Sequence, residues 1–216
     1  MGRMRSVDLN GSVISILPVV RGLVSEEESV ANAFREIGPD AVAVSISKEE
    51  LEGLRRREDY DKYEPSSLEI AYAENLSIFG KVEIPPPCFV KSLELCDQDK
   101  VPIIAIDMDE EKFSDMFCDS VGGLDLLRES LFARKAWKKK FDLSSPESFV
   151  IDWDRRVNRA GGFRELERAR EKHMAEALAD AARTHKKILA VVECERVEGV
   201  VGDLPITSKN NGASKI

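Results

Sequence analysis

The chain has 216 residues, 43% hydrophobic and 33% charged, and a formal net charge of −8. That length suits one well-buried domain, and the apolar content is too high for a disordered chain. A net negative charge argues against a general nucleic-acid partner, because neutralising phosphates takes clustered Lys and Arg. The densest basic stretch, Arg134-Lys135-Ala136-Trp137-Lys138-Lys139-Lys140, reads first as the solvated end of a helix, where cations meet the negative end of the macrodipole. Cysteines at 88, 96, 118 and 194 form no CxxC pattern, which points to unpaired thiols in a reducing cytoplasm. No apolar run approaches the roughly 18 residues that span a bilayer. Met1-Gly2-Arg3-Met4-Arg5 lacks the apolar core of a signal peptide, so a soluble protein is expected.

In chain order, Ser12 to Val20 reads as a first strand, with Pro18 marking its exit because proline cannot donate to a central ladder. Ser25 and Glu28 have capping-box spacing, and Val30, Ala33, Phe34 and Ile37 carry a helical period up to Gly38-Pro39. Asp40 to Ile46 is a second strand, apolar on both faces, which makes a βαβ unit with a parallel pair. Helices are expected over Lys48 to Arg57 and Leu68 to Phe79. Pro85-Pro86-Pro87 reads as a polyproline II segment and Phe89 to Asp97 as a helix. Val101 to Ile106 is a third strand, ending at Asp107-Met108-Asp109.

From 110 to 164 the pattern is a largely helical insertion: Lys112 to Ser120, Leu124 to Lys139, and Ser148 to Arg159 behind a cap at Ser144 or Ser145. The longest helix, Phe163 to Thr184, feeds the apolar run Ile188 to Val192. That run passes without a turn residue into Glu193-Cys194-Glu195-Arg196. The expected fold is therefore α/β: a mostly parallel central sheet flanked by helices, one domain over 1–204, and a flexible C-terminal tail over 205–216.

Ligands of open α/β sheets gather outside the carboxyl ends of strands, so the end of the 188–192 strand is the first place to look for a site. Leu166, Arg170, Met174 and Leu178 are four apart and share one helix face, which puts Arg170 in an apolar stripe. A guanidinium there needs an anion: Asp107, Glu193 or Glu195, or a ligand's carboxylate or phosphate held bidentately. Asp107, Asp109, Glu193 and Glu195 could together hold a divalent cation, although a helix cap for one of the aspartates is the simpler role. Neither His173 nor His185 belongs to a HxxxH or HExxH pattern, so zinc hydrolysis has no support. Ser45 has no GxSxG elbow, no phosphate-loop motif is present, and the flanking glutamates disfavour a Cys194 thiolate.

In motif order the chain resembles the TraB/PrgY/GumN family, which belongs with the erythromycin esterase and ChaN-like fold. The resemblance runs through most of residues 12 to 204. The family's first strand enters a G-[TS]-x-H-x-S loop, compared with Pro18-Val19-Val20-Arg21 and Ser25 here. Its VAVEL-like strand compares with Val42-Ala43-Val44-Ser45-Ile46, and its IDRD-like segment with Ile106-Asp107-Met108-Asp109. Its ERDxxMA helix compares with Ala169-Arg170-Glu171-Lys172-His173-Met174-Ala175. The VVAVVGAGHxxG strand that follows compares with Ile188 through Gly199. Both family histidines stand as Arg21 and Arg196 in this chain, and the glutamate as Ser45. Arginine neither ligates a cation nor acts as a base near neutral pH.

The resemblance implies the fold and a remodelled site. Arg21, Arg170 and Arg196 would converge at the carboxyl edge as an anion site without metal or cofactor, or be neutralised internally by Asp107, Glu193 and Glu195. The leading expectation is a binding or regulatory module for a small anionic ligand or acidic partner, forming a homodimer through its helical middle region. The alternative is a hydrolase of the same fold that uses a divalent metal on Asp107, Asp109, Glu193 and Glu195.

Overall fold

The computed structural model of the chain describes residues 4–56, 64–136 and 139–205. Among these, five strands form one sheet in the order β1-β2-β5-β3-β4: β1 (Arg5–Leu9), β2 (Ser12–Val19), β3 (Ala41–Val44), β4 (Ile103–Ala105) and β5 (Lys187–Glu193). β1 and β2 pair antiparallel, and every other neighbouring pair is parallel. The crossover from β2 to β3 is α1 (Glu26–Ile37). Between β3 and β4 run α2 (Lys48–Arg55), α3 (Ser67–Leu76) and α4 (Pro87–Asp99). Between β4 and β5 run α5 (Glu110–Ser120), α6 (Gly123–Ala133), α7 (Pro146–Val157) and α8 (Gly161–Ala181), and α9 (Val197–Asp203) follows β5. The fold is the α/β arrangement expected, with helices on both faces of a mostly parallel sheet.

Strand alternation divides the core. Ile14, Ala43, Ile188 and Val192 face α8 and α9, where they meet Met174, Leu178 and Val200. Val42, Val44, Leu189 and Val191 face the opposite way, against Phe34 of α1 and Phe89 and Leu93 of α4. Both faces of β3 and β5 are therefore buried, which is why these strands read as continuous apolar runs. A third cluster lies beyond the carboxyl ends of the strands, where Leu76 of α3 and Phe149 and Trp153 of α7 cover Val20 and Leu23. The helical insertion thus contributes a roof over the edge at which the site was sought.

β1 was not expected. Asn10 (φ 55°) and Gly11 (φ 80°) form the two-residue link to β2, the left-handed pair of a type I′ hairpin turn. Pro18 does not end β2, which runs on to Val19 in register with β5. β1 pairing stops at Ile16, so Pro18 sits where β2 is paired on one side only. The capping box at Ser25 does not form. The Ser25 side chain makes no cap hydrogen bond, and a Glu26 oxygen accepts from the Val20 N–H instead, at 3.1 Å. Reciprocal capping boxes stand at Ser47/Glu50 and Ser66/Glu69, where the N-cap backbone is extended.

Pro87 is the first residue of α4, so the helix begins two residues earlier than its apolar period suggests. α6 closes at Ala133, short of Lys139. The basic stretch follows it, with Trp137 and Lys138 outside the described residues, as is the expected tail apart from Pro205. α5 and α8 pack so closely that a Cβ on Gly162 would lie 2.2 Å from the Ser120 carbonyl oxygen, an approach only glycine permits.

Candidate functional site

The carboxyl ends of β2, β4 and β5 deliver Arg21, Asp107 and the Glu193–Arg196 segment to one edge, and α8 lays Glu167, Arg170 and Glu171 along it. Arg21, Arg170 and Arg196 line one cleft of about 240 Å³ together with Glu167, Glu193 and Glu195. Tyr72 from α3 and Trp153 from α7 form its roof, with ring centroids 5.5 Å apart in an edge arrangement.

Each guanidinium is tied to protein carboxylates. Arg21 donates to Glu193 at 3.0 Å and to Glu50 at 2.8 Å. Arg170 donates to Asp107 through Nε, at 3.3 Å to Oδ1 and 3.2 Å to Oδ2, and through Nη2 to Oδ2, so both carboxylate oxygens are held, which gives direction as well as strength. Arg170 also donates to Glu167 at 2.8 Å. The same Glu167 oxygen lies 3.1 Å from Arg196, which further pairs with Glu171 at 3.1 Å and with Asp154. Asp107, Glu193 and Arg196 are only 8%, 5% and 5% exposed, so these are charges withdrawn from water and held by their partners. The helix stripe read from sequence places Arg170 correctly. Of the three carboxylates named as its partners, Asp107 is the one in contact.

Seven carboxyl groups surround three guanidiniums: Glu50, Asp107, Asp154, Glu167, Glu171, Glu193 and Glu195. The edge absorbs that excess by keeping protons. Burial, with Glu193 close by, pushes the Glu195 carboxyl up to about 8, and the Cys194 thiol 3.5 Å away is its hydrogen-bond partner. Burial and Glu167 push Glu171 up to about 7. Burial acts against the Arg21 and Arg170 charges, yet Glu193 with Glu50, and Glu167 with Asp107, outweigh it and raise both. Burial draws Arg196 down to about 10, still charged at neutral pH.

Compared with models of known protein families and with curated proteins, the chain gives no match.

Among the described residues, no three of His, Cys, Asp and Glu stand together as metal ligands. Asp109 accepts from the Lys112 N–H at 2.9 Å and caps α5. Asp107 and Glu193 face guanidiniums. The thiol of Cys194 is pushed up by burial and then by Glu195, which disfavours the thiolate a nucleophile needs. Ser45 is buried, and its hydroxyl accepts from the Glu193 N–H at 3.1 Å, fixing the start of the acidic segment. His173 sits apart from the cleft, 2.8 Å from the Lys112 ammonium.

Sequence reasoning missed Glu50, Asp154, Glu167, Glu171, Tyr72 and Trp153. Glu167 and Glu171 lie three before and one after Arg170, and i,i+3 spacing could have named the first. Glu50 was readable as the third helical residue of the Ser47 capping box, and it serves both roles, one oxygen accepting from Ser47 and the other from Arg21. Tyr72, Trp153 and Asp154 reach the cleft through tertiary packing of the roof, for which the sequence carries no local signal.

Proposed function

We propose that this chain is a non-catalytic binding module of TraB-like descent, and that its carboxyl-edge cleft takes a small organic ammonium ligand. The observation that supports this reading is the carboxylate excess: three guanidiniums already held by protein acids, with acid groups left over. A positively charged group entering beside Glu193 and Glu195 meets one carboxylate, a second acid group that it can ionise, and the aromatic side chains of Tyr72 and Trp153. An anion must instead displace Glu50 or Glu193 from Arg21, or Asp154 from Arg196. The anionic ligand or acidic partner anticipated from the arginines is thus the competing outcome. The hydrolase alternative requires Asp107 and Glu193 to leave their arginines and join Asp109, the cap of α5.

Calorimetric titration of the full chain at pH 7 with 1,4-diaminobutane, citrate, Mn²⁺, Mg²⁺ and Zn²⁺ separates these readings. Diamine binding that weakens in E193Q and E195Q supports the proposal. Citrate binding lost in R21A, or a single divalent ion bound at Asp107, overturns it.

Four unpaired cysteines suit the reducing cytoplasm expected for this chain, and no helix among the described residues is long and apolar enough to cross a membrane. The homodimer expected through the helical middle region would use α6, whose Leu124, Leu127 and Leu131 form an exposed stripe. Sedimentation of L127E against the unaltered chain tests it.

A further inference from the structure

A further cleft lies away from the carboxyl edge, between α6, α7 and the start of α8. It measures about 560 Å³, within the range of about 300–1,000 Å³ that small-molecule sites occupy. Its walls carry Arg128, Lys135, Lys139, Arg156, Arg159 and Arg164 against one acid, Glu129. This is a concentrated positive surface on a chain of net charge −8.

Some of these cations have local employment. Arg156 pairs with Asp152 at 2.7 Å, Arg128 lies 3.6 Å from Asp125, and the Lys139 ammonium stands 5.3 Å over the Phe132 ring. Lys135 and Arg159 also follow the C-terminal ends of α6 and α7, where the helix dipole favours a cation. Arg164 makes no ion pair among the described residues, although it also borders a smaller cleft with Asp154, Glu167 and Glu171. It lies in the first turn of α8, at the positive end of a 21-residue helix, and four residues before another cation, Arg168. Both placements cost free energy: the macrodipole repels a cation there, and like charges at i,i+4 repel each other.

Among the described residues, no carboxylate pairs with Lys135, Arg159 or Arg164, and all three are exposed. The α8 N-terminus adds to the field. Its N-cap is Ala160, with no side-chain cap hydrogen bond and no acid in the first turn, and Ala160 and Gly161 both line the cleft. Backbone N–H groups at an uncapped helix start are a ready anion site. Here the helix start borders, through Ala160 and Gly161, a cavity that already holds cations without an ion-pair partner, while Gly162 beside it is covered by Ser120 and Asp125.

We infer that this cleft binds a linear polyphosphate group, either inorganic or the phosphate chain of a nucleotide. A monophosphate would satisfy the α8 N-terminus and Arg164 alone. A chain of phosphates also reaches Arg159 and Lys135, just past the ends of the facing helices, and each contact is charge-assisted. The inference is independent of the carboxyl-edge proposal, since none of its basic residues lines that cleft.

The test is calorimetric titration of the full chain at low salt with inorganic triphosphate, adenosine triphosphate, orthophosphate and a 12-nucleotide single strand. Triphosphate should bind at least tenfold more tightly than orthophosphate. R159E/R164E should weaken triphosphate at least tenfold, and E195Q should leave it unchanged. Adenosine triphosphate binding tighter than inorganic triphosphate would name a nucleotide as the source, and equal binding the phosphate chain alone. Both residues are exposed, so the double variant should keep the unfolding temperature of the parent, which is checked in parallel. No triphosphate binding, equal binding by R159E/R164E, or binding of the single strand alone would overturn the inference.

Discussion

Glu195→Gln is the most informative single perturbation of the carboxyl edge. The Glu195 carboxyl rises from an ordinary 4.5 to about 8, first through burial and then through the neighbouring Glu193. Between those values the unfolded chain has released a proton that the folded chain keeps, so stability falls as pH rises. The contribution is complete below pH 4.5 and is lost as pH passes through 8. At about 1.4 kcal/mol per unit the full shift corresponds to about 5 kcal/mol, and the partly exposed edge of the side chain reduces the expected change to about 3 kcal/mol.

Glutamine keeps the shape and removes the titration. Urea unfolding of both proteins from pH 5 to pH 9 should show the stability difference swinging by about 3 kcal/mol in favour of E195Q as pH rises. Glu171 and Glu167 titrate in both proteins, so they cancel in the difference to first order. Parallel stability curves would refute the claim that this edge stores a proton.

Removing one member of the Arg170 cluster should be far worse than removing two. R170A leaves Asp107 facing no cation, and Glu167 only Arg196, and should cost about 3–5 kcal/mol in urea unfolding, while R170M/D107N should recover part of the loss. G162A should separate α8 from the Ser120 carbonyl and cost about 1–3 kcal/mol, read as a lower unfolding midpoint with an unchanged denaturant slope.

The sheet was legible wherever burial on both faces produced a run such as Ile188 to Val192, and the long helix wherever Leu166, Met174 and Leu178 kept their period. β1 escaped notice because Arg5–Leu9 is exposed on one face and short, although Asn10-Gly11 announced the hairpin. α9, at seven residues, is too brief to show a period. The cleft was legible as a place and as three arginines that line it. Its acids were half hidden, because Asp154 and Glu50 arrive from α7 and α2, and only the folded chain sets them against Arg196 and Arg21. Local spacing reports neighbours along one helix, not the partner that another helix supplies.

The central claim, that the carboxyl edge holds excess acid and accepts positive charge, has a direct readout in the protons exchanged on binding. Titrating 1,4-diaminobutane into the chain at pH 7.5, in buffers of different ionisation enthalpy, counts them. An ammonium beside Glu195 favours its ionised form, so the account predicts net proton release in the parent and markedly less in E195Q. Proton uptake on binding, or release unchanged by E195Q, would contradict it.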